Sequence, residues 1–327
     1  PGDRVSASGN RSGGRGMTTG DTLVVYHGET AAPFRYDNSV WRDIFDSPMT
    51  EPVLEDGSLL FERFVDRFEE ALHVSPESPL CGDVLREEVY CPPSSFTSKL
   101  ARPDGETEDL AEYDTVLVST HWIYLRYIDY VATEFPDITL IGIHEDSLQE
   151  IQYASPGLQA ATLEGYQALD GFVSYTDSMT AWTRPIVDDV VQLHHPITPE
   201  MVERIRDVGC GIDERGSICL GINHWNYDFD NIVSSLAAYG TIRDSYPDLE
   251  PYVLGVRSYK QGQYQPFVDR YPELEIIDFL HGVEFYERLA ETTVILQPTI
   301  RAVAGRISAE AAALGVPVVG NGRTDMQ

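Results

Sequence analysis

The sequence predicts an α/β protein of two domains, each built around a parallel sheet. From Asp21 onward, short apolar runs rich in β-branched residues alternate with helical stretches, a pattern typical of strands joined by crossover helices. This alternation stops in VVQLHHPITPE, residues 190–200, where prolines end a strand, and it then restarts. A chain of 327 residues is also long enough to form two hydrophobic cores.

The domain bounds follow from these shifts in pattern. Residues 1–17 are rich in Gly, Ser and Arg, so we expect a disordered leader, with Met17 as the natural start of the protein. Residues 18–197 form the predicted first domain and residues 198–327 the second. Because Gln327 follows closely on a strand-like VPVVG, we expect the second domain to be incomplete, with a final helix beyond it.

Hydrophobic periodicity predicts the individual helices and strands. For the first domain we predict strands at 22–28, 115–119, 138–143 and 171–175, and helices at 59–73, 122–135, 158–169 and 178–186. We predict a loop over 91–109, because this stretch is rich in Pro, Ser and acidic residues. For the second domain we predict strands at 217–221, 252–256, 274–279, 293–297 and 317–319, and helices at 231–243, 283–290 and 307–314.

The net charge excludes several classes of partner. Lys and Arg number 23 and Asp and Glu 53, a formal charge of −30, and the lysines are Lys99 and Lys260. This composition is typical of proteins from salt-loving archaea, since the Debye length falls to about 3 Å in 1 M salt and self-repulsion is screened. The chain lacks the basic footprint that nucleic acids or anionic membranes require. With no long apolar run and no signal peptide, we expect a cytoplasmic protein.

The segment GRISAEAAALGVPVVG, residues 305–320, carries the strongest functional signal. Gly305 allows a tight turn before a helix, whose first N–H groups and dipole suit a phosphate. Glu310 lies about one turn into that helix, where its carboxylate can accept hydrogen bonds from ribose hydroxyls. Gly315 ends the helix in a left-handed conformation, and Pro317 leads into a buried strand. These features alone fit an ordinary crossover equally well.

The same segment resembles the nucleotide-sugar motif of family-4-like retaining glycosyltransferases, the glycosyl transferases of group 1. The matching residues are Gly305, Arg306, Glu310, Ala311, Gly315, Pro317, Val318 and Val319. The resemblance covers about residues 114–321 and implies a GT-B fold, in which two Rossmann-like doubly wound domains face a cleft. It implies a donor-binding set of Glu310, Arg306, Gly305, Ile307, Asn223, Arg257 and Lys260.

Two departures from the family pattern bear on activity. The family carries a second glutamate, close to the donor sugar, at a position that is Ala302 here. It also places an Arg and a Lys after the first strand of the second domain, whereas GINHWNYDFDN, residues 221–231, has no cation. Arg306, or Arg257 and Lys260 after the next strand, could compensate. His224 and Trp225 could stack on a base or sugar, or pack on the sheet.

In the first domain the resemblance makes His144 the candidate catalytic residue. It follows a predicted strand, and in the family a histidine here lies near the donor sugar, where it can stabilise an oxocarbenium-like transition state. His121, His27 and Gly28 end neighbouring strands and are candidates for the acceptor side of the cleft. Each could instead be a structural strand-end residue. We do not expect His194 and His195 to bind a metal, because adjacent side chains in an extended chain point to opposite faces.

The resemblance therefore implies transfer of a sugar from a nucleotide-diphosphate sugar to a glycan, lipid-linked or small-molecule acceptor. It implies retention at the anomeric carbon and no metal or other cofactor. Two alternatives stay open: a UDP-sugar epimerase of GT-B fold, and a glycosyltransferase-like nucleotide-sugar-binding protein without turnover, which Ala302 favours.

Overall fold

The structure is a computed structural model of the chain. It describes residues 22–25, 49–63, 92–102, 105–144, 148–154, 156–194, 197–212, 215–222, 231–256, 258–280, 282–299 and 306–320. These residues form two sheets with helices between the strands, and each sheet has its own buried apolar clusters. The clusters of the first sheet span Leu23 to Val187, and those of the second begin at Ile205. The predicted boundary at residues 197/198 lies in the interval between them.

The first sheet has eight strands in the order β4-β3-β2-β1-β5-β6-β7-β8. All neighbours from β2 to β8 pair in parallel, and β3 and β4 extend the sheet as an antiparallel edge. The strands are β1 Thr22–Val25, β2 Met49–Leu54, β3 Phe96–Ala101, β4 Thr107–Asp109, β5 Thr115–Ser119, β6 Thr139–His144, β7 Gly171–Ser174 and β8 Asp189–Gln192. Its helices are α1 Leu125–Glu134, α2 Leu148–Tyr153, α3 Pro156–Gln167 and α4 Asp177–Thr183.

The second sheet has five parallel strands in the order β11-β10-β9-β12-β13. The strands are β9 Ser217–Ile222, β10 Glu250–Leu254, β11 Glu275–Ile276, β12 Thr292–Gln297 and β13 Val318–Gly320. The helices of this half are α5 Pro199–Val208, α6 Ile232–Ile242, α7 Gln265–Arg270, α8 Gly282–Ala290 and α9 Arg306–Ala313. The central strand β9 is buried along its whole length, as expected for a parallel strand covered on both faces.

The predicted loop over 91–109 is wrong, because β3 and β4 form a hairpin there. Phe96 and Leu100 lie on one face of β3 and are buried, while Lys99 on the other face forms an ion pair with Asp109 of β4. The polar residues that suggested a loop thus occupy the outer face of an edge hairpin. The helix α5 was not predicted either. It begins at Pro199 behind the cap Thr198, whose hydroxyl accepts from the Met201 N–H.

The end of α9 confirms the predicted role of Gly315, which has a φ of +67°. The Gly315 N–H donates to the Ala312 carbonyl, and the Val316 N–H donates to the Ala311 carbonyl at 2.8 Å, the pattern of a Schellman motif. Arg215 donates to the carbonyls of Leu314 and Gly315, so a cation also stabilises the negative end of the helix.

Close packing explains the glycine in the middle of β6. A Cβ on Gly142 would lie 2.5 Å from Leu169 Cδ1 and 2.7 Å from Thr120 Cγ2. A Phe172 ring carbon would lie 3.2 Å away on a third side, so no single side-chain movement would make room. Gly142 therefore allows β5, β6 and β7 to bring their side chains together two residues before His144.

We expect Gly142→Ala to lower the free energy of unfolding by about 1–3 kcal/mol, the usual cost of overpacking a filled core. Denaturant unfolding monitored by circular dichroism would measure this loss. Gly157→Ala is the matched control, because nothing lies within 4 Å of a Cβ at that position. Equal stability of the two variants would contradict the packing argument.

Glu51 of β2 gives the first half a pH-dependent stability. Burial raises the pKa of its carboxyl from 4.5 to about 7, against the opposing effect of a hydrogen bond from the Phe61 N–H. The folded protein therefore holds a proton on Glu51 at pH values where the unfolded chain has lost it. This contribution to stability is fully present below pH 4.5 and is lost as the pH rises to about 7.

We expect Glu51→Gln to be more stable than the parent protein at pH 8, by about 2 kcal/mol, and to be nearly equal in stability at pH 4.5. The reason is that the neutral amide keeps a hydrogen-bond acceptor without a buried charge. Urea unfolding across this pH range would measure the difference. Glu106→Gln changes an exposed residue and should not give a stability difference that grows between pH 4.5 and pH 8. If the difference in free energy of unfolding between Glu51→Gln and the parent protein does not change with pH, the raised pKa of Glu51 is refuted.

Candidate functional site

His144 is the last residue of β6, and it lies in a cluster of buried hydroxyl groups. Its Nδ1 is 2.8 Å from the Tyr166 hydroxyl of α3 and 3.0 Å from the Thr120 hydroxyl, which directly follows β5. These two hydroxyls are themselves 3.0 Å apart. His144 Nε2 is also buried and has no hydrogen-bond partner among the residues that the structure describes. One ring nitrogen is therefore held in place, and the other is unmatched.

The environment of His144 keeps its ring neutral. Burial, assisted by the nearby His121, lowers the pKa of the imidazole from 6.5 to about 3. His121 itself follows β5, packs its ring against Trp122 at 5.1 Å and is only partly buried. The structure thus brings His121 and His144, two of the predicted residues, to neighbouring strand ends. At neutral pH His144 can form hydrogen bonds but supplies no positive charge.

Glu310 lies in α9 and is completely buried. Its Oε1 accepts hydrogen bonds from Arg306 Nε at 2.8 Å and from the Tyr286 hydroxyl of α8 at 3.1 Å. Its Oε2 is buried and has no partner within the described parts of the chain. A buried carboxylate oxygen without a donor is costly, so this atom is the clearest point of incomplete satisfaction in the second half.

The beginning of α9 lies at the carboxyl end of β12. Ser308, in the first turn, donates to the side chain of Gln297, the last residue of β12. Arg306 begins the helix and forms an ion pair with Glu310 one turn later. The Ile307 side chain packs in the apolar core of the second half, so a donor contact at this position would come from its backbone. The first N–H groups of α9 lie close to this strand end.

Several predicted site residues lie outside the described residues. His27 and Gly28 follow β1, Asn223 follows β9, Arg257 follows β10, and Gly305 and Ala302 precede α9. Lys260 lies in the 3₁₀ helix Ser258–Tyr264. The structure describes its backbone but not its side chain. His195, His224 and Trp225 also fall outside. Their predicted roles stay predictions.

Three hydroxyl residues of the site were missed by the sequence analysis. Thr120 lies next to His121 at the end of a strand, a position that could have been noticed. Tyr166 and Tyr286 lie on helices α3 and α8, each separated from its partner by more than twenty residues. No motif or spacing connects them with His144 or Glu310, so only the folded arrangement identifies them.

In the described part of the chain, no group of three or more His, Cys, Asp or Glu side chains is arranged to hold a metal ion. Among the helices that the structure describes, none combines the length and the apolar character that a membrane crossing requires.

No protein-family model matches the sequence, and no curated protein matches it either. Solved structures do match. A UDP-forming α,α-trehalose-phosphate synthase from Burkholderia xenovorans superposes with a TM-score of 0.58 at 10% identity, covering 93% of this chain and 84% of that one. A protein described as trehalose-6-phosphate from E. coli bound with UDP-2-fluoro glucose gives a TM-score of 0.57 at 9% identity, with coverages of 92% and 84%.

A sucrose-phosphate synthase from Thermosynechococcus elongatus is similar over a shorter part, with a TM-score of 0.49 and 15% identity. The alignment covers 66% of this chain and 57% of that protein, so the chain spans less than two thirds of its length. At these identities the likeness concerns the fold.

The two superpositions with TM-scores of 0.58 and 0.57, together with the two Rossmann-like sheets of the chain, show that the chain has the GT-B fold.

Proposed function

We propose that this protein is a glycosyltransferase that moves a sugar from a nucleotide-diphosphate sugar to a hydroxyl acceptor. The observation that carries the proposal is the carboxylate of Glu310, buried near the start of α9 with Oε2 lacking a partner among the described residues. The GT-B fold supports it, because α/β sheets of this kind bind ligands at the carboxyl ends of their strands. The formal charge of −30 also suits an enzyme that acts in a salt-rich cytoplasm.

In this proposal Glu310 binds the ribose of the donor. A ribose hydroxyl donates to Oε2, and this hydrogen bond satisfies the buried oxygen. Tyr286 and Arg306 occupy Oε1 and fix the plane of the carboxylate in advance, so little conformational freedom is lost on binding. A neutral sugar hydroxyl suits this place because the Arg306 cation already balances the carboxylate charge.

The diphosphate would lie at the beginning of α9. The N–H groups and dipole of that helix favour an anion, and Arg306 adds a cation there even though its Nε is engaged by Glu310. We propose Gly305 for the turn that brings the phosphate close, and Arg257, Lys260 and Asn223 as further donor contacts. These groups would stabilise the negative charge that develops on the departing diphosphate.

The first half would hold the reacting sugar and the acceptor. His144 would hydrogen-bond a sugar hydroxyl as a neutral ring, consistent with its lowered pKa. His121, His27 and Gly28 would border the acceptor. We propose that transfer proceeds with retention at the anomeric carbon and without a metal, and that the enzyme works mainly by holding donor and acceptor in line.

A nucleotide-sugar-binding protein without turnover is the second candidate, since Ala302 replaces a carboxylate that the resembled family uses. Release of UDP or GDP from a nucleotide sugar, assayed in molar KCl with and without sugar acceptors, separates the candidates. Release that depends on an acceptor indicates transfer, and release without an acceptor indicates hydrolysis or the epimerase alternative. Binding without release indicates the second candidate.

We expect Glu310→Gln to weaken binding of UDP or GDP sugars by about 10- to 100-fold, the effect of losing a charge-assisted hydrogen bond of roughly 1.5–3 kcal/mol. The amide keeps the shape of the side chain and one oxygen acceptor, so folding should survive. Isothermal titration calorimetry and the ligand-induced rise in melting temperature would measure the loss.

Glu284→Gln is the matched control, because Glu284 is an exposed residue in the first turn of α8. This variant should bind as the parent protein does. If both variants and the parent protein respond equally to nucleotide sugars, Glu310 is not a donor residue.

A further inference from the structure

The cluster around His144 surrounds one ring nitrogen with buried hydroxyl groups. The hydroxyls of Thr120 and Tyr166 and the His144 ring are all buried at the carboxyl ends of β5 and β6. Four polar contacts join them: Nδ1 to Tyr166 Oη, Nδ1 to Thr120 Oγ1, Thr120 Oγ1 to Tyr166 Oη, and Thr120 Oγ1 to the Ile143 carbonyl. Since each contact needs a hydrogen between its atoms, the number of available hydrogens can be compared with the number of contacts.

With a proton on Nδ1 the cluster holds three hydrogens, and they serve all four contacts. The Ile143 carbonyl can only accept, so Thr120 donates to it at 3.3 Å. The Tyr166 hydroxyl then donates to Thr120 Oγ1, and the Nδ1–H is shared between the oxygens of Tyr166 and Thr120. Each of the four contacts then has a hydrogen between its atoms, and Nε2 keeps its lone pair.

With the proton on Nε2 the cluster holds only the two hydroxyl hydrogens. Whichever way the two hydroxyls donate, at least one of the three contacts among Nδ1, Thr120 Oγ1 and Tyr166 Oη then has no hydrogen between its atoms. That contact is 3.0 Å long or shorter and would bring lone pairs together in a buried site, where such repulsion is poorly screened. In addition, a buried Nε2–H would lack an acceptor among the described residues.

We propose that Tyr166 and Thr120 are positioning residues that hold His144 as the neutral Nδ1–H tautomer, which leaves Nε2 as a hydrogen-bond acceptor. In a histidine, the hydrogen bond at one ring nitrogen determines the state of the other. A lone pair at a buried Nε2 selects a ligand group that donates, such as a sugar hydroxyl. It disfavours a ligand carbonyl, ether or fluorine at the same place, because these groups only accept.

The use of this lone pair to bind a sugar hydroxyl rests on the proposed function, but the tautomer itself does not. A chain with the Nδ1–H tautomer that binds no nucleotide sugar would refute the proposed function and leave the tautomer assignment standing. A chain that transfers sugar but carries the His144 proton on Nε2 would refute the tautomer assignment and leave the proposed function standing.

The test is a long-range ¹⁵N–¹H correlation spectrum of the full chain labelled at histidine nitrogens, recorded at pH 7 in molar KCl. The His144 signals are identified by their loss in His144→Gln. We expect the protonated, pyrrole-type nitrogen to be Nδ1. A pyrrole-type Nε2 in the parent protein would overturn the proposal.

Tyr166→Phe should lower the ratio of Nδ1–H to Nε2–H by about tenfold, the factor that corresponds to one hydrogen bond of about 1.4 kcal/mol. Tyr239→Phe is the control, because the Tyr239 hydroxyl donates to Glu273 in the second half and should leave the ratio unchanged. If Tyr166→Phe does not fold, Thr120→Val and Thr120→Ser give the same test. The valine should shift the ratio and the serine should restore it, and an unchanged ratio in the valine variant would also overturn the proposal.

Discussion

Parallel strand pairing is the constraint on which the rest of this structure depends. In a parallel sheet the carboxyl ends of adjacent strands meet at one edge, so residues far apart in sequence become neighbours there. Ser119 of β5 pairs with Ile143 of β6, and this register puts Thr120 beside His144. The pairing also needs Gly142, since any larger residue would collide with Thr120 and Leu169. The chemistry of the candidate site is therefore a consequence of the register.

The two halves present their buried polar groups in the same manner. In each, a tyrosine hydroxyl from a helix contacts one atom of the candidate side chain, while the other atom has no partner among the described residues. The folded protein would be more stable if both atoms had partners within it, because an unmatched buried polar atom costs about 1–3 kcal/mol. Thr183 and Ser235 also have a buried hydroxyl that is unmatched within the described chain, so what sets His144 and Glu310 apart is the place of His144 at a strand end and the carboxylate of Glu310 near the start of α9.

The sequence predicted the parts of the fold that rest on local pattern. The alternation of strands and helices, the end of α9 at Gly315 and the place of Glu310 one turn into that helix all depend on residues close together in the chain. The hairpin of β3 and β4 escaped prediction because its outer face is polar. The contacts of Tyr166 and Tyr286 escaped because they depend on how helices pack over the sheets, which no periodicity encodes.

The order of strands in the second sheet has a consequence for how the protein folds. The first strand of that half, β9, lies in the centre, and one of its two neighbours, β12, comes near the end of the described chain. Contacts between distant parts of a chain form slowly, because the intervening loop must lose its freedom before the contact gives any stability. During synthesis β9 therefore remains an open, apolar edge until β12 emerges. We expect the half that carries Glu310 to depend on protection from aggregation while the chain is being made.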